Sequence, residues 1–208
     1  MIGIVDYSTC NIRAIENLLT YNNIPNEVIS EVPDRDSYSA YILPGNGHFD
    51  SCSKSLHGSG FGEFLTHEVI HRGKPILGIC VGAQLMGVSS EEGQEPGLNW
   101  LDFNCRKFPR KLGFPVPNIG WRELDETQHI DLFFKEMGSK RFYFMHSFYI
   151  PANIPDAISV TSTYGINYTA AFNRGNIFGV QFHPEKSHKY GAWLIKRFFD
   201  LVKAQCEE

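Results

Sequence analysis

The sequence predicts an α/β fold in which an open, mostly parallel central sheet is flanked by helices and carries additional antiparallel strands. Three observations support this. The first 90 residues alternate short apolar runs with helix-period patterns. Residues 98–174 instead hold several short β-like runs punctuated by Pro, Gly and Asn. The chain then returns to a buried-strand pattern and ends on an amphipathic helix. At 208 residues it suits one domain, 1–208, with a full-sized core.

Taken in order, Ile2–Val5 reads as a strand, and Ile12, Ile15, Leu18 and Leu19 follow at helical spacing. Glu27–Ile29 and Tyr41–Leu43 read as strands, the second ending at Pro44-Gly45. Phe61, Phe64, Leu65 and Val69 mark a helix, and Pro75–Ile79 is a short run of the buried-strand type. Such alternation favours parallel strands covered on both faces. Arg141–Met145, Ile158–Thr163 and Thr169–Phe172 are the antiparallel additions expected in the middle. Ile177–Phe182 is again a buried strand. Leu194, Phe198, Leu201 and Val202 share one face of the last helix, which is expected to pack on the sheet.

Composition narrows the function. The chain is 42% hydrophobic and 20% charged, with a net charge of −4 and no basic stripe, so nucleic acid is not an expected partner. The start, Met1-Ile2-Gly3-Ile4-Val5-Asp6, lacks the basic region of a signal peptide. The longest apolar run, Ile76 to Ala83, falls short of the roughly 18 residues a membrane span needs. A cytoplasmic protein with no membrane contact is expected. The five cysteines, Cys10, Cys52, Cys80, Cys105 and Cys206, are odd in number and form no CxxC pair. This argues against a disulfide framework or zinc ribbon and leaves each as a core residue or a reactive thiol.

One cysteine stands apart. In Ile76-Leu77-Gly78-Ile79-Cys80-Val81-Gly82-Ala83-Gln84 a buried strand runs into Cys80, with glycine two residues to either side and a helical pattern after it. This is the thiol form of a nucleophile elbow: the crowded strand-to-helix turn needs small residues at those positions and lifts the sulfur above the carboxyl edge of the sheet. A helix N-terminus aimed at the sulfur would favour the thiolate. Taken alone, the segment also fits a core cysteine between glycines needed only for packing.

A partner for Cys80 lies in Gly179-Val180-Gln181-Phe182-His183-Pro184-Glu185. Pro184 biases His183 toward an extended backbone. Residues two apart on an extended chain face the same side, so Glu185 reaches one ring nitrogen of His183 and leaves the other for Cys80. This is the logic of a nucleophile, a general base and its orienter. Both segments end strands at the edge where open α/β sheets bind ligands. A purely structural histidine would have to coincide with an elbow cysteine and a strand-end carboxylate.

At this point the chain resembles the class I glutamine amidotransferases, and within them the glutaminase subunits of imidazole glycerol phosphate synthase. The resemblance runs over nearly the whole length. It includes Asp6-Tyr7 with Asn11, Leu43-Pro44-Gly45 with Gly47, the elbow with Gln84, and Ser89-Ser90-Glu91-Glu92-Gly93. It continues through Ile119-Gly120-Trp121, Phe142-Tyr143-Phe144 with His146-Ser147, and Gly179 to Ser187. It implies a flavodoxin-like glutaminase fold and the hydrolysis of L-glutamine without metal or cofactor. Cys80 would attack the side-chain amide, with His183 and Glu185 completing the triad. The backbone of Val81 and of the Gly45-Asn46-Gly47 segment would supply the oxyanion hole. Gln84, Glu92, Ser147 and Phe148 would hold the α-amino and α-carboxylate groups of glutamine. Glu92, read without the resemblance, is a solvated loop carboxylate.

The resemblance also implies a (β/α)8-barrel cyclase as heterodimer partner, because ammonia is mostly protonated at neutral pH and must be passed on sheltered. Lys186 and Tyr143 would report partner docking near the ammonia exit. The acceptor reaction would be that of histidine biosynthesis; the alternative is a paralogue feeding amidino-sugar synthesis for surface polysaccharides. The sequence departs from the family at Asn46, where a small hydrophobic residue is usual, at Arg122 for asparagine, at His188 for a second serine, and at Gly97-Leu98-Asn99-Trp100. None of these touches the triad. Peptidases and chaperones of the same superfamily place histidine directly after the elbow cysteine, where this chain has Val81. A non-enzymatic paralogue would have lost a triad member.

Other motifs have blander readings. His67-Glu68-Val69-Ile70-His71 matches the zinc-protease pattern, yet its histidines lie off the apolar stripe and no third ligand follows, so it reads as an exposed helix face. Gly58-Ser59-Gly60-Phe61-Gly62 lacks the preceding strand of a dinucleotide site and reads as a loop. Asn167-Tyr168-Thr169 is a sequon without a secretory route, and Phe142-Tyr143-Phe144 reads as strand packing.

Overall fold

The computed structural model of the chain describes residues 1–8, 11–34, 37–109, 113–125, 137 and 140–206. Cys10 lies outside the described residues. Among them, β1 (Ile2–Val5), β2 (Asn26–Ile29), β3 (Ala40–Gly45), β4 (Ile76–Cys80) and β12 (Ile177–Val180) form a parallel block in the order β2-β1-β3-β4-β12. The central strands are buried along their whole length, as continuous apolar runs covered on two faces must be. Helices α1 (Ile12–Tyr21), α2 (Phe49–Gly58), α3 (Phe61–Thr66), α4 (Val81–Gln84) and α5 (His188–Cys206) flank it. Leu194, Phe198 and Val202 of α5 are buried as the helical spacing predicts, and the Phe198 ring meets Phe178 of β12 edge-on at 5.5 Å.

Beyond β12 the sheet turns antiparallel through β11 (Asn167–Arg174), β10 (Ile158–Thr163), β9 (Phe148–Pro151) and β6 (Asn104–Lys107), with β5 (Ser89–Ser90) at the far edge. This ten-stranded sheet bears out the mixed architecture expected from the middle segment. One strand departs from it. The Arg141–Met145 run becomes β8 (Arg141–His146), which pairs with β7 (Asn118–Glu123) in a separate two-stranded ribbon rather than joining the sheet. Phe142 and Phe144 of β8 are fully buried, and Phe142 stacks on Phe182 at 3.9 Å, so strand packing accounts for the aromatic cluster.

Two other readings need correction. His67–His71 is one π-helical turn continuing α3, and its middle carboxylate faces inward. Glu68 is 4% exposed and pairs with Lys74 at 2.7 Å and Arg72 at 3.1 Å, which satisfies its buried charge. The two histidines face outward, and among the described residues no His/Cys/Asp/Glu group is placed to hold a metal. The glycine-rich stretch is a joint between two helices: Gly58 ends α2, Gly60 takes φ +80°, and Gly62 lies inside α3. Helix α2 does not stand out in the sequence, although Phe49, Cys52 and Leu56 are its buried stripe. Its serines, lysine and histidine dilute the apolar signal. No helix of the described residues is long and apolar enough to cross a membrane.

Candidate active site

Strand β4 delivers Cys80 to the carboxyl edge of the sheet beside the end of β3. Cys80 takes φ 53° and ψ −111°, a left-handed backbone uncommon for a residue with a side chain and typical of strained functional turns. The flanking glycines follow from crowding. A Cβ on Gly82 would run into the carbonyl of Leu43, and one on Gly45 into the backbone of Val81 and Gly82. The elbow and the tip of β3 therefore touch backbone to backbone. The helix after the elbow is shorter than its pattern implied: α4 has four residues, so it offers local N–H groups rather than a sizeable dipole. Cys80 is 3% exposed, and Cys80 and Cys105 form no disulfide.

His183 arrives from the neighbouring strand, three residues past the end of β12 at Val180. Its backbone is extended, φ −104° and ψ 99°, as the following proline requires. Glu185 sits not on a continuing strand but in a 3-10 turn, Pro184–Lys186, that folds its carboxylate back. The expected contact is made by this turn: His183 Nδ1 lies 2.8 Å from Glu185 Oε1. The other ring nitrogen, Nε2, is buried without a hydrogen-bond partner, so the influence of Cys80 on the ring is electrostatic rather than a well-formed hydrogen bond. Burial alone would favour the neutral imidazole. The electrostatic influence of Cys80, followed by the carboxylate of Glu185, outweighs it and raises the His183 pKa to about 10.

A cavity of about 230 Å³ opens over Cys80. Its wall contains Asn46, Gly47, Val81, Gln84, Glu92, Ser147 and Phe148, all marked by the sequence. It also contains Pro117, Met145 and His146, which the sequence does not single out as site residues in their own right. His183, Glu185 and Lys186 line a second, smaller cavity of about 40 Å³ behind it, with Asn46 on the wall of both. Glu92 is not a free loop carboxylate: its Oε2 accepts from the Phe49 N–H at the start of α2, at 2.8 Å. Gln84 Nε2 donates to the Phe148 carbonyl and to Gln181 Oε1, both at 3.0 Å. Both of its donors are then used, and the acceptor Oε1 is what it has left to offer a ligand.

A hydrogen-bonded chain backs the cavity. Arg122 Nε donates to Asn118 Oδ1 at 3.1 Å, and Asn118 Nδ2 lies 3.1 Å from His146 Nε2. His146 Nδ1 then donates to the Phe148 carbonyl at 2.8 Å. Burial lowers the His146 pKa to about 4, with the charges of His183 and Arg122 adding to the effect, so the ring is neutral. The Arg122 guanidinium also sits 4.7 Å over the Tyr164 ring. His188, another departure, takes φ +49° and stacks on Trp121 of the ribbon at 5.6 Å. Gln181, Asn118 and His146 are the residues that sequence reasoning missed here. The buried-polar signal that betrays them exists only once the fold brings strands together.

The glutamine amidotransferase class-I family profile matches residues 10–201. An imidazole glycerol phosphate synthase subunit HisH 2 of Pseudomonas aeruginosa is 39% identical over 202 residues, 97% of this chain and 100% of that protein. The HisH subunit of Leptospira interrogans is 39% identical over 204 residues, again 97% and 100%. Among solved structures, a GMP synthase subunit from Thermoplasma acidophilum superposes with TM-score 0.75 at 20% identity, covering 99% of this chain and 95% of that one. PurLQS of Thermotoga maritima superposes with TM-score 0.69 at 17% identity, covering 97% and 98%; both are likenesses of fold alone. With its elbow cysteine, its histidine–glutamate pair and a family match from residue 10 to 201, this chain belongs to the class-I glutamine amidotransferases.

Proposed function

We infer that this chain hydrolyses L-glutamine to glutamate and ammonia as the glutaminase subunit of an imidazole glycerol phosphate synthase. Its ammonia passes to a (β/α)8-barrel cyclase partner in histidine biosynthesis, in the cytoplasm. The observation that carries the reading is the convergence of Cys80 and the His183–Glu185 pair, whose own contact is 2.8 Å, on one edge of the sheet.

In this reading Cys80 attacks the side-chain carbonyl carbon of glutamine. Negative charge collects on the carbonyl oxygen, where the N–H of Val81 and those of the Asn46-Gly47 segment receive it. His183 protonates the departing nitrogen, and ammonia leaves as the thioester forms. His183 then takes a proton from water, which attacks the thioester and returns the electron pair to sulfur. Glu185 holds the ring and offsets its positive charge. The acceptor Gln84 Oε1 and the second carboxylate oxygen of Glu92, whose Oε2 is held by the Phe49 N–H, suit the α-ammonium of glutamine, and the Ser147 hydroxyl is a donor for its α-carboxylate. Lys186 and Tyr143 act in partner coupling.

The test is production of glutamate from glutamine by the purified chain with and without a barrel cyclase. Absence of turnover in both would overturn the reading. A second reading, ammonia supply for amidino-sugar synthesis, rests on the His188–Trp121 stack, which changes the ribbon face next to the triad. Reconstitution with each kind of barrel partner distinguishes the two, since only the matching partner will raise turnover.

A further inference from the structure

We propose that Gln181 is a positioning residue for the nucleophile: its side-chain amide, oriented by Gln84, donates to the Cys80 sulfur and favours its charged form. This rests on the reading of Cys80 as nucleophile. Gln181 is fully buried just past β12, two residues before His183. A buried amide must place both its oxygen and its nitrogen against partners.

The orientation of that amide follows from a chain of obligatory roles. The Phe148 carbonyl can only accept, so the Gln84 atom 3.0 Å from it is the nitrogen Nε2. The same nitrogen faces Gln181 at 3.0 Å, and a donor there requires the oxygen of Gln181. The nitrogen of Gln181 is thereby turned toward Cys80, where Nε2 lies 3.8 Å from Sγ. Rotating Gln181 would set donor against donor, and rotating Gln84 would set acceptor against acceptor. The side chain of Gln84 thus reads the main chain of β9 and fixes which end of Gln181 meets the sulfur.

An N–H aimed at sulfur distinguishes thiolate from thiol, because hydrogen bonds to a charged acceptor are shorter and stronger. The contact therefore strengthens at the two points where the sulfur carries its electron pair. One is before it bonds to the amide carbon of glutamine and ammonia departs. The other is after water has broken the carbon–sulfur bond and that pair has returned to sulfur. An apolar side chain of similar size would fill the same space without a polar atom to satisfy, though it would leave Gln84 one acceptor short. Gln181 and His183 belong to one segment, so a single stretch of chain supplies both the donor and the base.

The experiment uses two variants of the full chain. Gln181→Met keeps the volume and removes the donor; Gln181→Asn keeps an amide but draws it back by one methylene. The rate of Cys80 alkylation by iodoacetamide is followed against pH by peptide mass spectrometry, with circular dichroism melting as the control for folding. The alkylation inflection is expected to rise by about one pH unit in both, so that alkylation at neutral pH slows roughly tenfold. Glutaminase kcat is expected to fall with little change in KM. A folded variant of either kind whose alkylation profile superimposes on the wild type overturns the proposal, even if turnover is reduced. Should the methionine variant not fold, the asparagine variant decides. Failure of the underlying reading is separate: glutamine turnover would then survive Cys80→Ser, whatever the Gln181 variants do.

Discussion

The backbone N–H of His183 donates to the carbonyl of Tyr143 at 2.9 Å, tying the candidate base to a strand of the two-stranded ribbon. Ser187 closes the link from the other side: its hydroxyl donates to the His183 carbonyl at 2.6 Å and accepts from the Tyr143 N–H at 3.0 Å. Trp121 of the same ribbon packs against Tyr143 at 6.1 Å and His188 at 5.6 Å. A displacement of the ribbon would thus reach His183 through a hydrogen-bonded path of Tyr143 and Ser187.

Ser187→Ala removes both hydroxyl bonds and leaves a buried carbonyl and a backbone N–H without that partner. The expected cost is about 1–3 kcal/mol of stability, read as a Tm lower by several degrees. Stimulation of glutaminase turnover by the barrel partner is expected to fall in the same variant. Full stimulation in a folded Ser187→Ala protein would show that the ribbon reaches the base by another route.

Cys80→Ser is expected to lower glutaminase kcat by more than about 10³-fold while leaving the melting transition in place. The glutamine analogue 6-diazo-5-oxo-norleucine is expected to label Cys80 and none of the other four cysteines, which peptide mass spectrometry reads directly. Label on Cys52 or Cys105, both fully buried, would argue that the molecule opens on a scale this fold does not suggest.

Glu185→Gln tests the orienter. Oε1 holds His183, while Oε2 is buried without a hydrogen-bond partner. The amide can keep the first contact but no longer offsets the imidazolium charge. The loss in kcat is expected to be large, yet smaller than for His183→Ala, because triad members contribute unequally. Equal loss in the two variants would give Glu185 a direct part in the chemistry.

Cys80 and His183 are legible because local rules apply to them: glycines around Cys80, a proline after His183, and a strand before each; Glu185 is legible as the neighbouring carboxylate, but the turn that folds it back is not. The parallel block is legible for the same reason, since β1, β3 and β4 are uninterrupted apolar runs. What escapes are pairings set by distant segments. Nothing local tells that β8 leaves the sheet to pair with β7, or that Gln84, 97 positions before Gln181, meets it at 3.0 Å. Glu68 reads as an exposed carboxylate because its partners Lys74 and Arg72 lie on the far side of a π turn that periodicity does not announce.

His146 predicts a pH dependence of stability. Its folded-state pKa is lowered to about 4 from 6.5, so between those values the unfolded chain binds a proton that the folded one excludes. Stability therefore rises with pH across this window and is lost as pH falls from about 6.5 toward 4, by an amount on the order of 3 kcal/mol. His183, raised to about 10, adds little slope well below 6.5, where it is protonated in both states, and an opposing slope near and above 6.5, where only the unfolded chain loses the proton. Urea unfolding at pH 7 and at pH 5 reads the difference, which is expected to shrink in His146→Gln. An unchanged difference in that variant would assign the effect to other groups.

The last prediction is that the isolated subunit turns over glutamine slowly and that its partner raises the rate. In the proposed mechanism the Asn46-Gly47 segment supplies an oxyanion donor, and its backbone is where adjustment is expected. Gly47 holds φ +121°, a conformation that glycine adopts readily, and a Cβ there would meet nothing within 4 Å. The Asn46 carbonyl accepts a weak contact from the Cys52 sulfur at 3.9 Å, too long to fix its direction. With one donor turned away from the oxyanion, the rate is lower by about 10²–10³. Steady-state kinetics on the lone chain, with the partner, and with partner plus its ligand are expected to show a rise mainly in kcat, largest when the ligand is bound. A partner can produce that rise only through contacts that differ between the two states of the segment. Gly47→Ala separates backbone freedom from space, since the methyl has room but the φ value does not suit it. The variant is expected to fold normally and to lose partner stimulation. A lone chain already at its maximal rate, or a Gly47→Ala protein stimulated in full, would overturn this account of control while leaving the cysteine chemistry standing.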